Sequence, residues 1–282
     1  MKTSDWAIIQ ALYECRNITR ASDQLYISQP TLTKSLKAME EELGVLIAVR
    51  GKRGVTFTPE GEYLAVKAAQ ILTIMNEISR HLSELKEQPR GTLRIGSTNS
   101  MTRFYLPSLL SQYRGIQPGI QFEIVTSLSS QLCKMLERGE LDLALVNGDI
   151  PYGGKKYLFS AEQAYIASAE PLDMERLSTY PYLSYFKDIY TQKLIESWWA
   201  EHYLTPFPSG LVVKHGEICR EMILKGLGYS IFFIRDYMAD YPQYIYPLHH
   251  KDGTPLIRNS WLLCPQGVAE RPEIQDFIKC LH

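Results

Sequence analysis

Between Asn17 and Leu43 the chain carries two short helical patterns that meet at Ile27-Ser28-Gln29-Pro30, and few folds accept that arrangement. The first helix is expected to open near Thr19, a hydroxyl cap preceded by Ile18 as a hydrophobic staple, with Ala21 and Leu25 on one face. The second is expected to open near Ser28, with Pro30 in its first turn, where a missing amide hydrogen costs nothing. Leu32, Leu36, Met39 and Leu43 then recur at spacings of four, three and four, which puts them on one side and leaves Pro30, Thr33, Lys34 and Lys37 on the other. Two helices, a short turn, one packing face and one free face make a helix-turn-helix. The free face is basic toward its start and acidic at Glu40, Glu41 and Glu42, so only its N-terminal half suits a groove lined by phosphates.

The residues after Leu43 extend that unit. Gly44 interrupts the second helix, and Val45 to Thr58 runs through Arg50-Gly51-Lys52-Arg53-Gly54 into Val55-Thr56-Phe57, which reads as a two-stranded wing with a basic tip. Thr58-Pro59-Glu60 is a helix start: hydroxyl cap, proline at the first helical position, acid in the first turn. In the helix after it, Ala68, Ile71, Met75, Ile78, Leu82 and Leu85 repeat as a heptad seam up to the stop at Gln88-Pro89-Arg90-Gly91. Nothing adjacent in sequence covers that seam, so it is expected to pair with a second copy of the chain.

From Gly91 strands and helices alternate, which implies a mainly parallel sheet covered on both faces. A second unit of the same kind is expected from near Lys156. The predicted class is α/β overall. Residues 1–58 form a winged helix-turn-helix, 59–89 a linker (dimerisation) helix, and 90–282 a two-lobed α/β domain of the kind that closes on a ligand. Lobe I is placed at about 90–155 and 265–282, lobe II at about 156–264. Ser97, Thr98, Asn99 and Ser100 stand at the carboxyl end of the first strand and before a helix, where hydroxyls and free amides suit an anion. Ser127, Ser129 and Ser130 hold the corresponding place after the second strand, and Asn147, Phe186 and Gly216 are candidates from the facing edges.

Composition adds limits. The 282 residues carry a net charge of −1, so nucleic-acid binding is not announced by the whole chain. Between Arg16 and Arg53, however, seven basic residues stand against four acidic ones, and phosphate contact is decided on that local scale. No run of about 18 apolar residues occurs, and Met-Lys-Thr-Ser-Asp-Trp lacks the apolar core of a secretory signal, so a cytoplasmic protein without a membrane partner is expected. Five scattered cysteines without a Cys-x-x-Cys pair read as buried reduced thiols, with a redox pair such as Cys133 and Cys219 as the alternative. His215 and Cys219, four apart, do not make a metal site by themselves. The chain has no Gly-x-Ser-x-Gly elbow, Walker loop or His-Glu-x-x-His helix, so an enzyme is not expected. A solute-binding protein would suit the two lobes but not the N-terminal module.

The ordered series NITRASDQLYISQPTLTKSLKAMEEELGVLIAVRGKRGVTFTPEGEYL resembles the LysR-type transcriptional regulators, and the likeness runs over essentially the whole chain. Its markers are the Ser-Gln-Pro opening of the third helix, the Glu-Glu-Leu-Gly exit, the Arg-Gly wing ending in Thr-Pro-Glu-Gly, and the long helix after it. Gly226-Leu227-Gly228 before an apolar strand resembles a further marker. Two places depart from the family. Ile47-Ala48-Val49-Arg50 replaces the usual leucine-phenylalanine pair before the wing arginine, which implies thinner packing under the wing. Phe233 stands where a proline usually ends the strand after Gly-Leu-Gly.

The resemblance implies that Ser28, Gln29, Pro30, Thr31, Thr33, Lys34 and Lys37 meet base edges and phosphates, with Arg50 and Arg53 at the wing. It implies no cofactor but a small effector, often carboxylate-bearing, held between the lobes by the loops of Ser97 to Ser100 and Ser127 to Ser130. Operator DNA in double-stranded form, further copies of the chain in a homodimer or homotetramer, a small anionic metabolite and RNA polymerase are the partners it implies.

Overall fold

A computed structural model describes residues 1–51, 54–86, 91–234 and 244–281, with the backbone alone at Arg50, Glu77 and residues 79–86. Lys52 and Arg53 of the wing tip lie outside the described residues, as do the side chains of Arg50, Leu82 and Leu85. The chain divides into two compact units. One is Met1–Gln88 with Glu137–Glu140, and the other is Pro89–Leu136 with Leu141–His282.

The first unit runs α1 (Thr3–Cys15), α2 (Ile18–Gln24), α3 (Gln29–Leu43), β1 (Ala48–Gly51), β2 (Gly54–Phe57) and α4 (Pro59–Lys86). Arg16 ends α1 in the left-handed conformation, and the Asn17 side chain accepts the Arg20 amide hydrogen at 3.1 Å. The cap of α2 is therefore Asn17, not Thr19, because an amide oxygen two residues earlier already satisfies the free end of the helix. Leu32, Leu36 and Met39 pack into one core with Ile8, Ile9, Leu12 and Ala21. Leu43 stays 39% exposed, since Gly44 takes a φ of 69° and ends α3 beside it.

The wing pairs antiparallel from Ala48 opposite Phe57 to Gly51 opposite Gly54. Gly54 has a φ of +119°, and a Cβ there would fall 2.6 Å from the Arg16 carbonyl oxygen. That same oxygen accepts the Val55 amide hydrogen at 2.9 Å, which ties the wing to the end of α1. The Arg16 guanidinium lies 4.0 Å from the Tyr13 ring centre and 4.9 Å from that of Phe57, and pairs with Glu62 at 3.1 Å. Tyr13 donates its hydroxyl to the same carboxylate at 2.7 Å, a bond that, with Arg16, holds Glu62 below its ordinary range. Tyr13 and Phe57 meet edge to face, so these rings, together with the buried Ile47 and Ala48, fill the space under the wing. Glu40, near the end of α3, accepts the amides of Ile47 and Ala48 at 2.8 and 3.3 Å.

Helix α4 opens on the Thr58 hydroxyl, which accepts the Gly61 amide hydrogen at 3.0 Å. Ala68, expected on the free seam, is instead fully buried with Ala65 in the core of the first unit. The reason is that α4 is apolar on two sides, and its small residues are the ones that let another backbone approach closely. Among the described side chains of α4 the large apolar ones left exposed are Tyr63, Val66, Ile74, Met75 and Ile78, with Ile71 half-buried.

The second unit runs β3 (Thr92–Ser97), α5 (Asn99–Phe104), α6 (Leu106–Ile116), β4 (Gln121–Thr126), α7 (Ser129–Glu137), β5 (Leu143–Asn147), β6 (Lys155–Gln163), β7 (Tyr165–Ser168), a 3-10 turn (Met174–Thr179), β8 (Leu183–Tyr185), α8 (Ile189–His202), β9 (Leu211–Val213), α9 (Gly216–Leu224), β10 (Tyr229–Phe232), β11 (Tyr244–Pro247), β12 (Ile257–Cys264) and α10 (Pro272–Lys279). The helical stretch from Asn99 to Ile116 breaks at Tyr105 because Pro107 can neither donate to the carbonyl four residues back nor fit beside it.

Among the described residues one sheet has the order β4-β3-β5-β12-β6, with β3 parallel to β4 and β5, and β12 antiparallel to β5 and β6. Its strands alternate as a two-sided sheet requires: Leu143, Leu145 and Leu262 pack with Met101, Leu109 and Phe277, while Ala144, Val146 and Leu263 pack with Leu132 and Leu136 of α7. The other lobe joins β10-β7-β11 to the parallel pair β8-β9 through a bridge between Tyr182 and Tyr229. Ile166, Tyr229 and Ile231 face Ile195, Trp198 and Trp199 of α8, and Tyr165, Ala167 and Phe232 face Cys219 and Ile223 of α9. Gly228, with a φ of +141°, brings β10 against the Pro181 carbonyl, where a Cβ would have no room.

The expected lobe limits at 156 and 264 need correction. Both β6 and β12 belong to the first sheet, so the lobes exchange chain after Gln163 and again between Leu248 and Leu256. These two crossings lie side by side: Ala164 donates to Leu256 at 2.8 Å and Leu248 donates to Ala164 at 2.9 Å. Alternating strands and helices reveal that strands exist, and only the pairing register reveals which sheet each one joins.

Leu32→Ala is expected to cost the first unit about 2–5 kcal/mol through the cavity it leaves. Leu43→Ala is expected to change it by less than about 0.5 kcal/mol. Urea denaturation followed by far-ultraviolet circular dichroism separates the two outcomes.

Candidate functional site

Two surfaces carry the chemistry, one in each unit. On α3, Ser28 is the cap: its hydroxyl oxygen accepts the Thr31 amide hydrogen at 3.3 Å and lies 2.8 Å from the Thr31 hydroxyl. Gln29, Pro30, Thr31, Lys34 and Lys37 are exposed and Thr33 is half-buried. The start of α3 thus presents an amide, a methyl-bearing hydroxyl and two ammonium groups along one side. Arg16 lies over the Tyr13 and Phe57 rings and pairs with Glu62, so one of the seven cations of this region serves packing. Glu40 turns toward the wing strand, which removes one of the acids from the free face.

In the second unit a cavity of about 440 Å³ opens between the lobes. Of the sequence candidates, Thr98, Asn99, Ser100, Ser127, Ser129, Asn147, Phe186 and Gly216 line it. Ser97 does not, since it is fully buried at the end of β3. Ser130 is likewise not in the lining; its amide donates to Asp188 at 2.8 Å.

Asn147 organises the lobe I wall. Its side-chain nitrogen donates to the Thr98 hydroxyl oxygen at 3.1 Å and to that of Ser100 at 2.9 Å, while its carbonyl oxygen accepts from Ser260 at 3.0 Å. Ser129 bonds the Asn147 backbone on both sides, accepting its amide hydrogen at 3.0 Å and donating to its carbonyl at 3.1 Å. An amide nitrogen only donates, so Thr98 and Ser100 act as acceptors toward it and keep their hydroxyl protons to donate elsewhere.

The lobe II wall and the floor add residues not named among the cleft candidates: Tyr185, Lys187, Asp188, Lys214, His215, Phe233 and Arg258. Asp188 caps α8, where one oxygen accepts the Tyr190 amide hydrogen at 3.4 Å, and its other oxygen takes the Ser130 amide of lobe I. Lys187 lies 3.6 Å from the Tyr185 ring centre, and burial pushes its amine down to about 7, with the Arg258 charge acting the same way and Cys219 opposing. Arg258 stands on β12 opposite Glu162 of β6 and pairs with its carboxylate, both side chains being buried. Tyr105 donates to Glu162 at 2.9 Å. Phe233 lays its ring 4.3 Å from the Arg258 guanidinium carbon, so the residue that departs from the family pattern becomes the cover of a buried cation. At the rim, Glu217 of α9 accepts from Arg103 at 3.0 Å and from Asn99 at 3.4 Å.

The signals for the missed residues were faint. Arg258 is a lone cation near the start of an apolar strand, and Lys187 lies in a loop whose only mark is the Asp188 cap after it. Cys133 and Cys219 belong to separate buried clusters, and burial raises the Cys219 thiol, the opposite of what a reactive thiol requires. Among the described residues no group of three or more His, Cys, Asp or Glu is placed to hold a metal, and no helix is long and apolar enough to cross a membrane.

Comparison with known proteins bears on both surfaces. Residues 3–62 match the model of the bacterial regulatory helix-turn-helix protein, lysR family, and residues 86–282 match the LysR substrate binding domain. The HTH-type transcriptional regulator YraN of Bacillus subtilis (strain 168) is 29% identical over 99% of this chain and 98% of its own. YkuM of the same organism is 25% identical over 100% of this chain and 97% of its own. Among solved structures, full-length BenM superposes with a TM-score of 0.59 at 22% identity, covering 100% of this chain and 95% of that one, which speaks for the fold. With both modules matched in order over nearly all its length, the chain belongs to the LysR family of DNA-binding transcriptional regulators.

Proposed function

We propose that this regulator binds double-stranded operator DNA through the start of α3 and the wing, pairs through α4, and changes operator binding or DNA bending when a small anionic effector enters the cleft. The observation that carries the effector reading is the cavity itself. Two hydroxyls held as outward donors by Asn147 share it with Lys187, Lys214 and Arg258, against Asp188 as the single acid in its lining. Hydroxyl donors and cations converging on one enclosed space favour an anion. Closure of two lobes that are connected by paired strands gives the effector two arrangements between which to discriminate.

For the DNA surface the support is chemical. Gln29 can pair with adenine through two hydrogen bonds, the Thr31 methyl can meet that of thymine, and Lys34 can reach guanine or phosphate. Lys37, Arg50 and Arg53 are assigned to phosphates, with Ser28 and Thr33 at the edge of the contact and Pro30 shaping the first turn. For self-association the support is the exposed apolar face of α4, Val66, Ile74 and Ile78 foremost. A homodimer through that face would present two α3 helices to two half-sites, and a homotetramer would double that again. RNA polymerase is the assigned downstream partner and the cytoplasm the assigned location.

Lys34→Ala is expected to weaken operator binding and to lower the salt slope by about 0.9 if one phosphate contact is lost. A gel-shift titration at several salt concentrations that left both unchanged would remove Lys34 from the interface. Ile74→Glu combined with Ile78→Glu is expected to convert the assembly to monomers in analytical ultracentrifugation; an unchanged sedimentation coefficient would rule out α4 as the pairing surface. Thr98→Val is expected to weaken anion binding about tenfold, the worth of one hydrogen bond to a charged group. Calorimetric titration with a panel of small carboxylates and inorganic phosphate measures it, and equal affinity in the variant would exclude Thr98 from the site.

A further inference from the structure

Lys187 occupies an unusual position in the cleft. It stands one residue before the cap of α8, half-buried, with its amine 3.5 Å from the Tyr185 carbonyl oxygen and close above the Tyr185 ring. Two ionisable groups from other elements act on it: Cys219 of α9, which favours its charge, and Arg258 of β12, which opposes it and is itself paired with Glu162 of β6; Lys214 and His215, before α9, line the same cavity. On its own loop Asp188 is the single carboxylate of the cavity lining, and its two oxygens are already taken by the amides of Tyr190 and Ser130.

Burial withdraws the amine from water, which disfavours its charged form and pushes its midpoint down to about 7. An anion in the cavity would supply the missing counter-charge. We propose that Lys187 receives an anionic group of the effector and takes up a proton as it does so, which makes effector occupancy fall as pH rises.

This rests on the effector reading of the cleft and adds the group that senses the ligand's charge. The sign comes from linkage. Binding stabilises the ammonium form and moves its midpoint upward, so between the free and bound midpoints each binding event draws a proton from solvent. Between the two midpoints affinity for the anion falls by up to about tenfold per pH unit; below the free midpoint and above the bound one it is level.

The test uses the full chain and competitive acetylation with acetic anhydride, read peptide by peptide by mass spectrometry across neutral and alkaline pH. It is run in chloride, in inorganic phosphate and in benzoate at matched ionic strength, with Lys193, exposed on α8, as reference. The expected result is a Lys187 reactivity midpoint near neutrality in chloride that rises by at least about one pH unit in phosphate or benzoate. A Lys187 that titrates with Lys193, or a midpoint that neither anion moves, would overturn the proposal. Lys187→Arg supplies a second readout: it is expected to keep anion affinity while losing its pH dependence, and a pH profile identical to that of the unaltered protein would also refute the assignment. Operator binding without added anion separates this from the wider reading. Its loss in the unaltered protein would count against the regulator's DNA surface, whereas its retention with an unmoved Lys187 would count against Lys187 alone.

Discussion

The second unit depends on the pairing of β6 with β12. These two strands carry the chain out of one lobe and back from the other, and next to the crossing, one pair in from the end of their ladder, Arg258 stands in register opposite Glu162 with both side chains out of water. Two buried charges are tolerable only when they meet each other, and this pair leaves one donor, the Arg258 Nε, without a hydrogen-bond partner. Tyr105 from lobe I donates to the carboxylate, and Phe233 from lobe II covers the guanidinium. The crossing therefore has a dry polar centre contacted from both lobes, and Arg258 also forms part of the cleft wall. A molecule entering the cleft meets the connection between the lobes as part of its own surroundings.

The first unit has its counterpart in Arg16. One residue ends α1, supplies the carbonyl that anchors β2, stacks on two rings and pairs with a carboxylate of α4. The wing is short, and a two-stranded ribbon of that length has little stability of its own. Its position relative to the helices is set by this side chain and by the close approach at Gly54.

The helix-turn-helix, the wing, the start of α4 and the alternation of strands and helices in the second unit were legible because each is written locally, in caps, glycines and apolar spacing, whereas β6 and β11 were not. Thr58 and Gly44 do what their positions in the sequence announce. What was not legible is what depends on partners distant in sequence. Ala68 shares the heptad spacing with Ile78, yet one is buried and the other exposed, because spacing shows that a face is apolar and not which neighbour claims it. The lobe limits were misplaced for the same reason, since β12 pairs with strands roughly a hundred residues earlier. In the cleft, the serines and threonines of the strand ends were visible as a class. Lys187 and Arg258 were not, since a single cation in a loop or strand has no signature until the fold brings other groups around it.

Glu40 has a consequence beyond its bonds. An acid near the end of α3 could be read only as a charge that keeps phosphate away, but its carboxylate accepts the amides of Ile47 and Ala48 at the root of the wing. One side chain thereby sets the distance between the helix that would enter the groove and the ribbon that would flank it. If α3 and the wing contact DNA as proposed, sequences whose groove and flanking backbone differ in spacing would have to deform to meet this span, and the energy of that deformation would become part of how one operator is told from another.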